Sequence, residues 1–192
     1  MPSPVTILGT GNMGTVLADL ARAAGRDVQL LGSADTDQPA TGDVVVLAVP
    51  YSAVAEVLAQ RGGELDGKVV VDITNPLDYE TWDSLVAPAD SSVAAEIAAA
   101  LPQTRVLKAF NTTYSGHLAT GRVGDQPTTV LIAGDDADAK AQLADLVTAG
   151  GLRAVDAGSL ARARELEAMG FLQMTLSARD TVPWTGGFAV AS

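Results

Sequence analysis

Cysteine is absent from all 192 residues, which removes disulfides, zinc–thiolate sites and thiol nucleophiles together. The single histidine, His117, cannot anchor a multi-histidine metal site. Aromatic residues supply only 4% of a chain that is 47% hydrophobic. Its core must therefore be built from small aliphatic layers, as in a parallel sheet covered by helices. Basic side chains are scarce as well: 12 Lys and Arg stand against 23 Asp and Glu, a net charge of −11, and they are scattered from Arg22 to Arg179 without a basic run. Nucleic acid and anionic membranes are thereby disfavoured as partners. Any phosphate ligand must be held at short range, by backbone amides and a few side chains. No uncharged apolar stretch reaches the roughly 18 residues of a membrane span. Met1-Pro2-Ser3-Pro4 leads straight into an apolar run without the charged and apolar regions of a secretory leader, so the expected location is the cytoplasm.

What is present alternates between strand-length apolar runs and stretches of helical period, the pattern of βαβ units. Strands are expected at Val5 to Leu8, Val28 to Leu31, Val44 to Val49, Lys68 to Ile73, Arg105 to Phe110, Thr128 to Ala133 and Arg153 to Val155. Helices are expected at 12–24, 52–60, 92–101, 136–148 and 160–176, the last interrupted in pattern by Gly170. Gly32 to Gly42 lacks the period of a second crossover helix and reads as an abbreviated connection. Residues 75–90 read as a loop beyond a strand tip, and Thr181 to Ser192 as a tail able to add an edge strand. Neither a repeat nor a linker divides the chain, so 1–192 reads as one α/β domain with a doubly wound, mainly parallel sheet.

Between the first strand and the first helix, Gly9-Thr10-Gly11-Asn12-Met13-Gly14 matches G-x-G-x-x-G. The first glycine allows the tight turn, the second lets a diphosphate approach the backbone, and the third lets helix and strand pack closely. In this strand–turn–helix context the motif marks a Rossmann-type dinucleotide site. An acid at the end of the second strand would bind the ribose diol and repel a 2′-phosphate. That strand ends Leu30-Leu31-Gly32-Ser33, with a neutral hydroxyl at Ser33, while Asp35 stands 21 residues after Gly14, near the expected spacing of a ribose-binding acid. NADP through Ser33 and NAD through Asp35 both remain open from spacing alone.

The segments Ile7 to Gly14, Gly42 to Pro50, Asp72-Ile73-Thr74-Asn75-Pro76, Lys108-Ala109-Phe110-Asn111 and Ile132 to Asp136, in that order, resemble the coenzyme F420-dependent NADP oxidoreductases. The resemblance implies a compact Rossmann domain in which NADP and a deazaflavin, coenzyme F420 or a flavin-like group, stack in one cleft and exchange hydride directly. It implies that Gly9, Thr10, Gly11, Asn12, Met13 and Gly14 hold the diphosphate and that Ser33 lies near the 2′-phosphate. Ala48, Val49 and Pro50, with Asn75 and Pro76, would border the nicotinamide. Phe110, Asn111 and Thr112 would lie near the second redox partner, with Lys108 as the cation for its anionic end. The family often carries Gly-Ser-Arg after the second strand, whereas this chain has Gly32-Ser33-Ala34-Asp35.

Two other readings share the motif: reduction of a small carbonyl or imine, as in pyrroline-carboxylate and hydroxyacid reductases, and a nucleotide sensor without turnover. The former group closes its site with a long helical domain, and about 36 residues follow Asp156 here. No catalytic triad or metal cluster is recognisable, and direct hydride transfer needs none. His117, read as a partly solvated loop residue, is a candidate proton donor only for the carbonyl reading. Tyr51 and Phe110 could stack on a ring. Met169, Phe171, Met174 and Leu176 read as packing residues. Trp184 is a candidate contact in a homodimer.

Overall fold

The computed structural model describes residues 2–88 and 90–191. Met1, Ala89 and Ser192, at the start of the N-terminal run, in the 75–90 loop and at the end of the tail, lie outside the described residues. Strands β1 (Val5–Leu8), β3 (Val44–Leu47) and β4 (Val69–Asp72) are buried on both faces, as expected of unbroken apolar runs in a parallel sheet. With β2 (Val28–Leu31), β5 (Arg105–Lys108), β8 (Thr129–Gly134) and β9 (Arg153–Gly158) they form one sheet in the order β2-β1-β3-β4-β5-β8-β9. All pairs are parallel except β5 with β8.

Alternate residues feed opposite faces. Val5, Ile7, Val44, Val46, Val69 and Val71 pack under α1 (Asn12–Ala23) and α5 (Ala137–Ala149). Leu8, Val45, Leu47, Val70 and Val106 pack under α2 (Tyr51–Arg61) and α3 (Val93–Ala100). This period of two, with helices on both faces, makes the sheet doubly wound. The order of connection reverses about β1, between β2 and β3, so the crevice beyond the tips of β1 and β3 is the topological switch point where ligands bind in such sheets.

The connection from β2 to β3 contains no helix, as expected, and side chains satisfy its backbone. Gln29 accepts from the Thr41 amide (3.0 Å) and donates to the Pro39 carbonyl (3.0 Å), while Glu64 accepts from the Ala40 amide (2.9 Å). Two expectations change. After β5 the chain turns at Phe110 in a left-handed conformation (φ 62°) and enters a short helix, α4 (Ser115–Thr120), and a small hairpin of β6 (Arg122–Val123) and β7 (Gln126–Pro127). Those elements return the chain so that β8 runs antiparallel to β5. The tail forms no strand over residues 181–191. It lies instead against α6 (Ala163–Ala178), where the Phe188 amide donates to Gln173 (3.0 Å).

Gly170 sits within an unbroken α6, and its lack of a side chain is required: a Cβ there would lie 2.5 Å from Asn75 Oδ1. At Gly14 a Cβ would lie 1.9 Å from the Gly9 carbonyl oxygen, so α1 can approach the β1 tip only with glycine. Gly14→Ala is accordingly expected to cost about 1–3 kcal/mol through overpacking. Gly63→Ala, where a Cβ meets nothing within 4 Å, should stay within about 0.5 kcal/mol of the native protein. Urea denaturation of both variants measures the contrast.

Candidate dinucleotide and redox cleft

Two cavities that share Gly11, Ala48, Val49 and Pro50 form one cleft across the switch point. The first, about 330 Å³, is bounded by the glycine turn (Gly9, Thr10, Gly11), by Gly32, Ser33 and Thr36 after β2, and by the inner face of α2 down to Arg61. Gly11 caps α1 without a side-chain acceptor, and the first turn contains no acid, so the first amides of the helix are left for an anion. A Cβ at Gly11 would meet nothing within 4 Å; a side chain there would project into the cleft. Such a cradle fits a diphosphate. Gly14 lines neither cavity and acts through packing.

The geometry beyond β2 separates Ser33 from Asp35. Both Asp35 carboxylate oxygens are engaged within their own turn, accepting from the Gly32 amide (2.8 Å) and from Gln38 Nε2 (2.9 Å). Ser33 and Thr36 line the cavity, and Asp35 does not. An acid turned back on its own loop is unavailable to a ribose diol.

The second cavity, about 650 Å³, is lined by Asn12, Met13, Ile73, Thr74, Asn75, Phe110, Asn111, Thr113, Tyr114, Met174 and Trp184 among others, none of them charged. At its floor two amides from successive strand tips pair: Asn75 Nδ2 donates to the Asn111 carbonyl (2.8 Å) and Asn111 Nδ2 to Asn75 Oδ1 (3.0 Å). A further bond from Asn111 Nδ2 to the Leu166 carbonyl (2.8 Å) ties the pair to α6. Thr74 Oγ1 and Asn111 Oδ1 are buried without a partner. A buried polar atom left unpaired is costly, so these two suit a ligand that donates and accepts hydrogen bonds, as a carboxamide does. Pro76 is buried and lines neither cavity; its carbonyl accepts from the Val86 amide (2.7 Å), shaping the loop.

Several side chains sit elsewhere than expected. Lys108 is fully buried and does not face the cleft: its ammonium donates to Asp72 (2.8 Å), to Glu167 (2.8 Å) and to the Thr74 carbonyl (2.6 Å). With its three donors used, it cannot serve an anionic partner. His117 is no loop residue. It lies in α4, only 1% exposed, with Nδ1 accepting from the Tyr114 amide (3.2 Å). Nε2 faces the Thr185 and Gly186 backbone without closing a well-formed bond. Burial holds the imidazole below the ordinary histidine range, and those backbone groups oppose the shift only in part. Tyr51 lies in a groove between α2 and α3 with its hydroxyl toward Glu96 (3.4 Å), away from both cavities. Met174, expected to pack, lines the cleft and touches Asn75 through sulfur (3.5 Å). Thr112 is buried beneath the cleft, and Phe110 is both core and cleft wall.

Thr36, Arg61, Tyr114 and Trp184 were missed by motif reasoning. Arg61 ends a helix, where a cation is expected on dipole grounds alone, and Trp184 reaches the cleft only through the path of the tail.

Glu167 joins α6 to the buried lysine and accepts from the Val93 amide at the start of α3 (3.0 Å). Desolvation raises its pKa above the ordinary glutamate range, with Lys108 opposing. A raised folded-state pKa gives a contribution to stability that is complete below the unfolded value and lost as pH rises through the folded one. Glu167→Gln should therefore remove a decline in melting temperature that the native protein shows as pH climbs above the ordinary glutamate range. Melting curves of both proteins from pH 4 to 8 test the sign.

The family described as NADP oxidoreductase, coenzyme F420-dependent, matches residues 32–76. An F420-dependent NADP reductase of Methanocaldococcus jannaschii is 31% identical over 174 residues, covering 88% of this chain and 77% of that protein. One from Methanothermobacter thermautotrophicus is 36% identical, over 83% and 71% respectively. A crystal structure from Arthrobacter sp. FB24, itself provisionally assigned as an F420-dependent NADP reductase, superimposes with a TM-score of 0.85 at 25% identity, over 99% of this chain and 100% of that one. The chain belongs to the F420-dependent NADP reductase family.

Proposed function

We propose that this protein transfers hydride between NADP(H), whose adenosine and diphosphate occupy the first cavity and whose nicotinamide reaches past the waist into the second, and a deazaflavin of the F420 type held beside it in the second cavity. The observation that carries this reading is the joined cleft itself: an amide-rich lobe at a glycine turn opens, across Ala48, Val49 and Pro50, into a lobe lined only by neutral side chains. The family relationship supplies the identity of the second ring system. When bound, the nicotinamide and deazaflavin rings supply the redox chemistry.

The protein's part is positioning and exclusion of water. Gly9, Thr10 and Gly11, with the first amides of α1, hold the diphosphate, and Ser33 lies on the 2′-phosphate side. Ala48, Val49 and Pro50 form the waist against which the nicotinamide rests, and Thr74 Oγ1 and Asn111 Oδ1, the latter held in place by Asn75, meet its carboxamide edge. Aromatic side chains frame the outer lobe: the Tyr114 ring lies 5.0 Å from that of Trp184, and Trp82 lies 5.4 Å from Tyr79. The Tyr114 hydroxyl is bonded to Ser177 (3.0 Å) and burial raises its pKa, so it is no ready acid at neutral pH. His117 is buried behind it. A cleft without an accessible proton donor suits direct hydride transfer better than carbonyl or imine reduction, which consumes a proton at the substrate.

Among the described residues no helix is long and apolar enough to cross a membrane. A cytoplasmic homodimer completes the reading, with the exposed Leu172 and Phe188 as its candidate contacts.

Two measurements test the assignment. Gly11 has a backbone conformation open to any residue (φ −72°), so Gly11→Val should fold normally and lose NADPH binding by calorimetry, because the branched side chain fills the diphosphate cradle. Hydride transfer, followed as loss of F420 visible absorbance on addition of NADPH, should be present in the native protein. It should fall by about 10²-fold in Asn75→Ala at saturating cofactor, since misplacement of reactants by ~1 Å costs that much. Absence of transfer in a native protein that binds NADPH would remove the deazaflavin and leave the nucleotide site standing.

A further inference from the structure

The loop after β2 carries no cation beside Ser33, and the acidic chain offers no long-range attraction to a phosphate. We infer that Arg61, at the far end of α2, supplies the cation that recognises the 2′-phosphate of NADP. The inference rests on the NADP reading above and names its specificity-determining residue.

Arg61 is 7% exposed and lines the first cavity together with Ser33 and Thr36. Its guanidinium donates from Nη1 to the Gln38 carbonyl (2.8 Å) and to Glu64 (3.3 Å), and from Nη2 to the Asp35 carbonyl. A guanidinium has five N–H donors. Those three contacts leave one Nη2 hydrogen and the Nε hydrogen without an acceptor among the described residues. A cation buried this deeply is expensive unless its charge is answered. Glu64 answers it only partly, at 3.3 Å and itself a third exposed.

The other charged group on this wall is Glu56, which is exposed and bound by Gln60 Nε2 (2.9 Å). A 2′-phosphate placed between Ser33 and Arg61 would take the free donors, and an arginine fork suits a phosphate better than an ammonium does. The contacts to the Asp35 and Gln38 carbonyls also explain the posture of Asp35: the arginine holds the backbone of the turn in which that carboxylate is folded back. One residue thus supplies a phosphate ligand and withdraws the acid that would have favoured NAD.

The test uses 2′,5′-ADP and 5′-ADP as probes, titrated calorimetrically into the full-length native protein and into Arg61→Gln, Arg61→Lys and the double variant Arg61→Gln with Ala34→Arg. The native protein should bind 2′,5′-ADP about 10-fold or more tightly than 5′-ADP, with the steeper salt dependence for the former. In Arg61→Gln that preference should collapse to within about 2-fold. Arg61→Lys, which keeps the charge, should retain part of the preference, and Ala34→Arg should restore it. Equal loss of both probes in Arg61→Gln and Arg61→Lys would overturn the inference in favour of a purely structural clamp. Undiminished preference in Arg61→Gln would overturn it outright while leaving the NADP reading intact. A native protein indifferent to the 2′-phosphate would overturn both.

Discussion

A lysine with no access to water, Lys108, holds two carboxylates and a main-chain carbonyl beneath the floor of the cleft, and most of the site's geometry hangs from it. Its partners come from β4 (Asp72), from α6 (Glu167) and from the first residue turn beyond β4 (Thr74). Asp72 also accepts from the Thr74 amide (2.9 Å), and Glu167 from the amide of Val93. Four elements are thereby tied to one ammonium. Burying such a cluster is a poor way to gain stability against an apolar alternative, because desolvation offsets most of the Coulomb attraction. What it does supply is direction. The Thr74 backbone is held at both its amide and its carbonyl, so the Asn75 side chain leaves the strand tip at one angle and meets Asn111 from the neighbouring tip.

The two lobes of the cleft work by different physics. In the first, recognition is carried by backbone amides at a helix start and by short-range donors, which function irrespective of the protein's acidic field. In the second, neutral aromatic, amide and thioether groups provide shape and a few unpaired acceptors. The waist between them is narrow because Ala48 packs against Gly9, whose absent Cβ would lie 2.1 Å from the Ala48 carbonyl oxygen. A substitution at either position therefore alters both lobes together.

Much of this architecture was legible from the chain. Central strands such as Val44–Leu47 and Val69–Asp72 announce themselves as apolar runs, and the glycine turn carries its own steric logic at each of three positions. The missing crossover helix was readable from composition between Gly32 and Gly42. Features set by distant partners were not. Lys108 looks like any strand-end cation until Asp72 and Glu167 are brought beside it from 36 residues before and 59 after in sequence. His117 follows a strand tip and reads as loop, yet its own ring accepts the amide that starts a helix. Reversal of β8 depends on the left-handed turn at Phe110, a residue type that does not advertise that conformation. Arg61 and Asp35 acquire meaning only once α2 lies across the turn after β2.

The contact at Gly170 links motion to the site. Because α6 approaches until its backbone lies against Asn75, with the Asn111 amide anchored one turn away on the Leu166 carbonyl, the helix is indexed on the amide pair as a key is on its wards. It can neither slide by a fraction of a turn nor roll without driving a neighbouring residue into the amide. The last helix and the floor of the cleft are therefore registered on one another, and a side chain at position 170 would disturb both at once.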